Sequence, residues 1–369
     1  VATRLTQFKH CAKRPQRRQH KAKNLHHQQS EKTFMHEFIT ATKSELTTLE
    51  PLLVEYLLTP NEPTNDVLRH IFQAGGKRVR PGLFLLVSKL IGYSGIHKLP
   101  IAAVCEYIHT ASLLHDDVID NSTLRRGKPT ANSIWGDETA VLAGDLIYSA
   151  ACRLMVKTRS LDLIDTFAEC IRFMSESELF QLELLWKSDL TQQQYERVVN
   201  GKTAILFEAS CKTPAFLAEL PEDVCKSLGD YGHHLGFVFQ FADDILDYTG
   251  AAEQVGKSVA ADLRAGKITL PVLCALQNER TRGETNLSQL ISAALHSGEF
   301  TDTSLEKIIA LVHSTGGITS AIEHGKQRIA AAQSALKKAV ELLPNKTTET
   351  QATLELLLAL PESLLHRSH

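Results

Sequence analysis

The sequence has no paired-cysteine motif, few aromatic residues, no excess of charge and no long apolar run, and each shortage removes a class of protein. Its seven cysteines (Cys11, Cys105, Cys152, Cys170, Cys211, Cys225 and Cys274) are odd in number, scattered and never spaced as CxxC. Most fall in apolar helical stretches, where a reduced thiol packs as a small hydrophobe. A disulfide framework or zinc site is therefore not expected, and a reducing, cytoplasmic setting fits. The 40 basic against 42 acidic residues give no global electrostatic reason to expect a nucleic-acid partner. No run of about 18 apolar residues is present, so no membrane span is expected. Sustained apolar–polar alternation with hairpin turns is also missing, so strands are not required. Acid is absent before Glu31, whereas residues 1–30 carry eight Lys or Arg residues. Residues 1–33 read as a solvated basic extension, or alternatively as a presequence that would direct the chain to the mitochondrial matrix.

What remains is helical. The 369 residues, 43% hydrophobic, can bury an ample core. Apolar residues recur at helical spacing from about Phe34. Met35, Phe38, Ile39, Leu46, Leu49, Leu53 and Tyr56 trace one stripe, interrupted at Thr42, with Pro51 placed to kink or restart the helix. Thr191 with Gln194 has the pattern of a capping box. Asn200-Gly201 reads as a helix end or as a kink inside a longer helix. The expectation is one all-α domain over 34–369, a helical bundle.

Two acidic segments stand out. His115-Asp116-Asp117-Val118-Ile119-Asp120 ends an apolar helix and is followed by Leu124-Arg125-Arg126-Gly127-Lys128-Pro129. Phe239-Gln240-Phe241-Ala242-Asp243-Asp244-Ile245-Leu246-Asp247 repeats the arrangement, followed by Gly256-Lys257 and Arg264–Lys267. On a helix Asp116 and Asp120 share one face, and such carboxylates repel unless a cation lies between them. Mg²⁺ takes oxygen ligands and commonly bridges one or two carboxylates to substrate phosphates. The cations supply the complement. Gly75-Gly76-Lys77-Arg78-Val79-Arg80-Pro81 places three of them beside two glycines, and Arg offers forked donors matched to phosphate oxygens. Together these read as two diphosphate sites, one bridged by metal and one held by Lys and Arg.

GGKRVRP, HTASLLHDDVID, LRRGKPT, GKTA, FQFADDILDYTG and GKSVAADLRAGKITLP, in that order, resemble the trans-isoprenyl diphosphate synthase family over about residues 34–340. The resemblance implies helices around a deep central cavity, usually in a homodimer. It implies that isopentenyl diphosphate is condensed with an allylic diphosphate, with three Mg²⁺ ions when the allylic diphosphate is bound. Asp116, Asp120 and Asp243 correspond to direct metal ligands, while Asp117, Asp244 and Asp247 would act through water or support them. Lys77, Arg80, His109 and Arg126 correspond to the isopentenyl diphosphate site. Arg125, Lys202, Lys257 and Lys267 correspond to the grip on the allylic diphosphate, and Thr203 and Gln240 to groups lining the developing cation. A kink at Asn200-Gly201 would carry Lys202 and Thr203 to the cavity axis. The chain departs from many relatives at Ala251, where they carry an acid.

Product length should follow from the residues before the first motif. Ser112 lies one turn above Asp116, with Ala111 beside it and Ile108 a turn deeper. Shorter-chain relatives commonly carry aromatic rings at the first pair. Small residues there imply an open tunnel, a product beyond C20 and closest resemblance to the long-chain synthases of quinone side chains, whose product passes to membrane-bound enzymes. A C15–C20 synthase, a class I terpene cyclase and a non-catalytic subunit of a heteromeric synthase are the competing readings. The cyclase would need neither the second acidic motif nor the Lys77–Arg80 pocket. A regulatory subunit would be expected to have lost one of them.

Overall fold

A computed structural model describes residues 38, 40–249, 259–346 and 348–366. The basic extension 1–33, Ala251 and Lys257 lie outside the described residues. In the first helix, α1 (40–55), Thr42 does not interrupt the buried stripe. It is buried with Phe38, Leu49 and Leu53, and its hydroxyl donates to the Phe38 carbonyl at 2.9 Å, which satisfies it inside the helix. Pro51 is exposed, and the helix runs through it without a break.

The chain continues through α2 (Glu62–Gln73), α3 (Val79–Leu90), α4 (Lys98–Ile119), the short α5 (Ala131–Trp135), α6 (Asp137–Lys157), α7 (Leu161–Leu184) and α8 (Gln192–Val199). Then come α9 (Ile205–Leu217), the 28-residue α10 (Glu222–Thr249) and the short α11 (Ala261–Arg264). The C-terminal layer is α12 (Leu270–Arg282), α13 (Asn286–Ser297), α14 (Asp302–Ser314), α15 (Gly317–Glu341) and α16 (Thr348–His366). The Thr191–Gln194 capping box opens α8, with both reciprocal hydrogen bonds formed. The six described cysteines are free thiols.

One expectation needs correction. Strands do occur: Leu124–Arg125 pairs antiparallel with Lys128–Pro129. Its turn residues, Arg126 and Gly127, have φ of 54° and 75°, the positive pair a two-residue hairpin requires. Two residues a side are too short to show alternation. Of the two readings of Asn200-Gly201, the irregularity inside a longer helix holds: the helix passes through a π turn, Asn200–Ala204, into α9. Asp137–Lys157 is long and apolar enough by composition to cross a membrane, a test that a core helix passes equally. Small residues keep its polarity low without a continuous apolar run, and Ala140, Ala143, Gly144, Ile147 and Ala151 are buried.

Two apolar clusters position the site. One joins α4, α6 and α7 through residues such as Tyr107, Ile108, Ile147 and Phe167. The other surrounds α10 with Leu83, Phe207, Leu235 and Phe241. Glycine controls the closest approach. A Cβ on Gly236 would lie 2.5 Å from Ala204 Cα, so only glycine lets α10 meet the π turn, one helical turn before Gln240.

Candidate active site

The first acidic motif closes α4, where the three aspartates face different surroundings. Asp117 is 3% exposed and bound by Arg125, whose Nε donates to both carboxylate oxygens at 3.0 Å while Nη2 donates at 2.7 Å. Asp116 lines a cavity of about 550 Å³. Burial raises its carboxyl above the usual range, against the pull of Lys202 and with the repulsion of Asp120. Asp120, at the end of α4, lies 3.6 Å from Lys267 Nζ.

The second motif divides in the same way. Asp243 is exposed, Asp244 buried and Asp247 half-buried. Asp244 accepts from the Tyr195 hydroxyl at 2.5 Å, Gln240 Nε2 at 2.8 Å and the Leu270 amide at 3.3 Å. Burial, with the charge of Asp262, raises its carboxyl to about 7. Asp247 accepts the Ala261 and Asp262 amides at 3.0 and 3.2 Å, which caps α11. Leu270 and α11 bracket the segment carrying Lys267. Asp244 and Asp247 therefore hang that segment on α10, and Lys267 reaches from it to Asp120.

The cations come from several elements. Gly75 and Arg78 take positive φ of 71° and 47°, making a turn between α2 and α3. Arg78 is absorbed there: Nε and Nη2 meet Glu50 at 2.7 and 3.1 Å, and Nη1 meets Glu106 at 2.5 Å. Among the described residues Arg80 has no such carboxylate partner. It is 8% exposed, lies 4.9 Å from the Phe207 ring centre, and its buried Nε has no hydrogen-bond partner among them. Burial lowers its pKa to about 10, which leaves it cationic at neutral pH. The hairpin folds back on this turn, where Arg126 Nη1 donates to the Gly75 carbonyl and Lys128 Nζ to that of Gln73 at 2.7 Å. A Cβ on Gly76 would lie 2.6 Å from Arg126 Nη1. Burial and the charges of Arg80, Arg126, Arg125 and Arg78 push the His109 pKa well below the ordinary value, so the imidazole is neutral. Lys77 is exposed on the same turn.

The π turn carries Lys202 and Thr203 into the cavity wall. A Cβ on Gly201 would collide with Ser177 Oγ and lie 2.7 Å from the Phe173 carbonyl oxygen. A π turn adds one residue and re-aims its side chains, a device frequent at functional sites. Thr203 Oγ1 donates to Gln240 Oε1 at 2.8 Å, which continues the chain through Asp244 to Tyr195. Lys202 Nζ lies 2.6 Å from Glu178 and 3.6 Å from Asp116. Burial opposes its charge, but the two carboxylates outweigh it and hold its pKa above the ordinary lysine value.

The structure thus brings Arg80, His109, Ser112, Asp116, Arg125, Arg126, Lys202, Thr203 and Gln240 to one cavity. Ala111 and Ile108 are not among its lining residues: both are fully buried in the core behind it. Sequence reasoning passed over Glu178, Tyr148 and Met174, which do line it. Glu178 had a signal, as an acid on the helical stripe of Leu163, Phe167, Cys170 and Met174.

The donors suit magnesium. Among the described residues no three carboxylate, His or Cys groups converge on one point. Asp116, Asp120 and Asp243 carry the oxygen donors that Mg²⁺ takes, and Mg²⁺ commonly bridges one or two carboxylates to substrate phosphates.

Comparison with known proteins agrees with this geometry. The polyprenyl synthetase family model matches residues 61–312. Octaprenyl diphosphate synthase of Escherichia coli K12 is 36% identical over 304 residues, covering 82% of this chain and 91% of that protein. The decaprenyl diphosphate synthase structure from Rhodobacter capsulatus superposes with a TM-score of 0.80 at 32% identity, covering 91% of this chain and 99% of that one. A Caulobacter crescentus polyprenyl synthase, solved with calcium and isoprenyl diphosphate, gives a TM-score of 0.79 at 31% identity, covering 90% and 97%. The chain belongs to the polyprenyl synthetase family.

Proposed function

We propose that this prenyltransferase extends an allylic diphosphate with isopentenyl diphosphate in a Mg²⁺-dependent reaction, giving an all-trans product longer than C20 for quinone side chains. The carrying observation is the mixed lining of one cavity, where Arg80, His109, Asp116, Arg125 and Lys202 stand with apolar Leu113, Met174, Leu179 and Phe239. Charged heads and a growing hydrocarbon need both kinds of lining.

In this reading Arg80, Arg126 and Lys77 hold the diphosphate of isopentenyl diphosphate, with the buried Arg80 Nε supplying an unused donor. Neutral His109 donates without adding charge. Lys202, Arg125 and Lys267 face the allylic diphosphate, where their charge meets the leaving group as its bond to carbon breaks. Asp116, Asp120 and Asp243 would hold the magnesium, three ions with the allylic diphosphate bound, which supplies Lewis-acid stabilisation of that leaving group. The allylic cation lies against Thr203 and Gln240, whose oxygens are oriented by their mutual hydrogen bond. The double bond of isopentenyl diphosphate attacks the cation, and a proton passes to the released diphosphate, leaving an allylic product one C5 unit longer. Holding the partners in register removes the entropy cost of their encounter.

A second copy of the chain is the proposed partner. α6 and α7 leave Leu142, Val156 and Leu161 exposed at 61–79%, apolar surface suited to a homodimer. The test of function is incubation with Mg²⁺, labelled isopentenyl diphosphate and C10, C15 or C20 primers, followed by product chromatography. Chains longer than C20 support the reading; a product that stops at C20 or earlier refutes its length, and none with any primer refutes the activity.

A further inference from the structure

Glu178 belongs to neither acidic motif, yet it makes the shortest ion-pair contact to Lys202, the lysine paired with Asp116. Lys202 Nζ lies 2.6 Å from Glu178 Oε1 but 3.6 Å from Asp116 Oδ2. All three side chains are largely buried, at 22%, 31% and 15% exposure for Glu178, Lys202 and Asp116. The placement is built into the backbone. Gly201, beside Lys202, packs directly on Ser177, beside Glu178, where a Cβ would collide. The register of the π turn on α7 therefore sets the Glu178–Lys202 pair.

A lysine ammonium is a compact charge on a flexible stem, and it settles where opposite charge attracts it most. Without Glu178, the nearest carboxylate to Lys202 would be Asp116. A direct Lys202–Asp116 pair would then compete with a divalent cation for the same oxygens. We propose that Glu178 is a positioning residue that draws Lys202 toward α7, which keeps Asp116 open to the metal and leaves Lys202 charged beside the allylic site. This rests on the metal-clamp reading of Asp116. Its consequence is an acid that promotes metal binding without being a ligand.

The test is Mn²⁺ binding to the full chain, read as free Mn²⁺ by electron paramagnetic resonance. Glu178→Gln keeps the side-chain shape and should weaken Mn²⁺ binding about tenfold, ~1.4 kcal/mol. Lys202→Met should tighten binding by removing the competing cation. In the Lys202→Met background, Glu178→Gln should have no further effect. Equal weakening in both backgrounds would make Glu178 a direct contributor to the metal site and overturn the proposal. Unchanged binding in Glu178→Gln, or no tightening in Lys202→Met, would overturn it too. Asp116→Asn separates the two readings: it should reduce the number of Mn²⁺ ions bound by removing those at the first motif, and an unchanged number with unchanged affinity would overturn the metal clamp along with this proposal.

Discussion

Asp243 and Asp244 are neighbours in sequence, and replacing each by alanine should cause different failures. Asp244 accepts hydrogen bonds from Tyr195, Gln240 and the Leu270 amide. Asp244→Ala leaves the buried Tyr195 hydroxyl and Leu270 amide without an acceptor. At about 1–3 kcal/mol per orphaned buried group, two orphans cost roughly 2–6 kcal/mol. That is a large share of a typical stability of about 5–15 kcal/mol, and Tm should fall by about 3–9 °C in a chain of this length. Asp243 is exposed, so Asp243→Ala should change stability by less than about 0.5 kcal/mol. Its turnover should nevertheless fall roughly a thousandfold, about 4 kcal/mol of lost leaving-group stabilisation. Thermal unfolding by circular dichroism and steady-state rates at saturating Mg²⁺ separate the two. Equal Tm losses, or near-normal turnover in Asp243→Ala, would refute the division of labour.

Three further outcomes follow. Arg80→Ala should mainly raise KM for isopentenyl diphosphate, whose diphosphate is retained in the step, whereas Lys202→Ala should mainly lower kcat; identical patterns for both substrates would dissolve the two-site assignment. Gly201→Ala should disrupt the π turn, because its Cβ meets Ser177 and the Phe173 carbonyl, and lower kcat without unfolding the chain; wild-type kinetics would show that the turn does not aim Lys202. Ser112→Phe should shorten the product toward C15–C20, since Ser112 lines the cavity, while Ala111→Phe should overpack the core behind it and destabilise by about 1–3 kcal/mol. Unchanged long products from Ser112→Phe, read by chromatography, would place the floor elsewhere.

Fold class was legible because helical periodicity persists along most of the chain, and the Thr191–Gln194 cap because it is a local device. The hairpin at 124–129 and the π turn were not. Two-residue strands carry no periodicity, and a π turn differs from a kink by one hydrogen-bond register that only packing on Ser177 determines. Thr42 misled for a related reason. Its hydroxyl bonds within its own helix, so a polar residue can occupy an apolar stripe.

Within the site, residue types were easier to read than partners. GGKRVRP gave no sign that Arg78 is consumed by Glu50 and Glu106 while Arg80 keeps an unused donor. Those carboxylates are 28 residues away on either side. The acidic motifs, by contrast, contain more information than their charge. Successive helical residues are about 100° apart, so Asp116 and Asp117 cannot share a face, nor can Asp243 and Asp244. Helical phase alone therefore requires the two members of each pair to face different surroundings. Asp117 and Asp244 are the buried members, and each is met by groups that hold site residues: Arg125 for the first, Gln240 and the Leu270 amide for the second. Doubling the aspartate thus couples its less buried neighbour to the cation or amide that must stand beside it. Lengthening either motif by one residue between its acids would rotate the pair out of phase and lose both functions together.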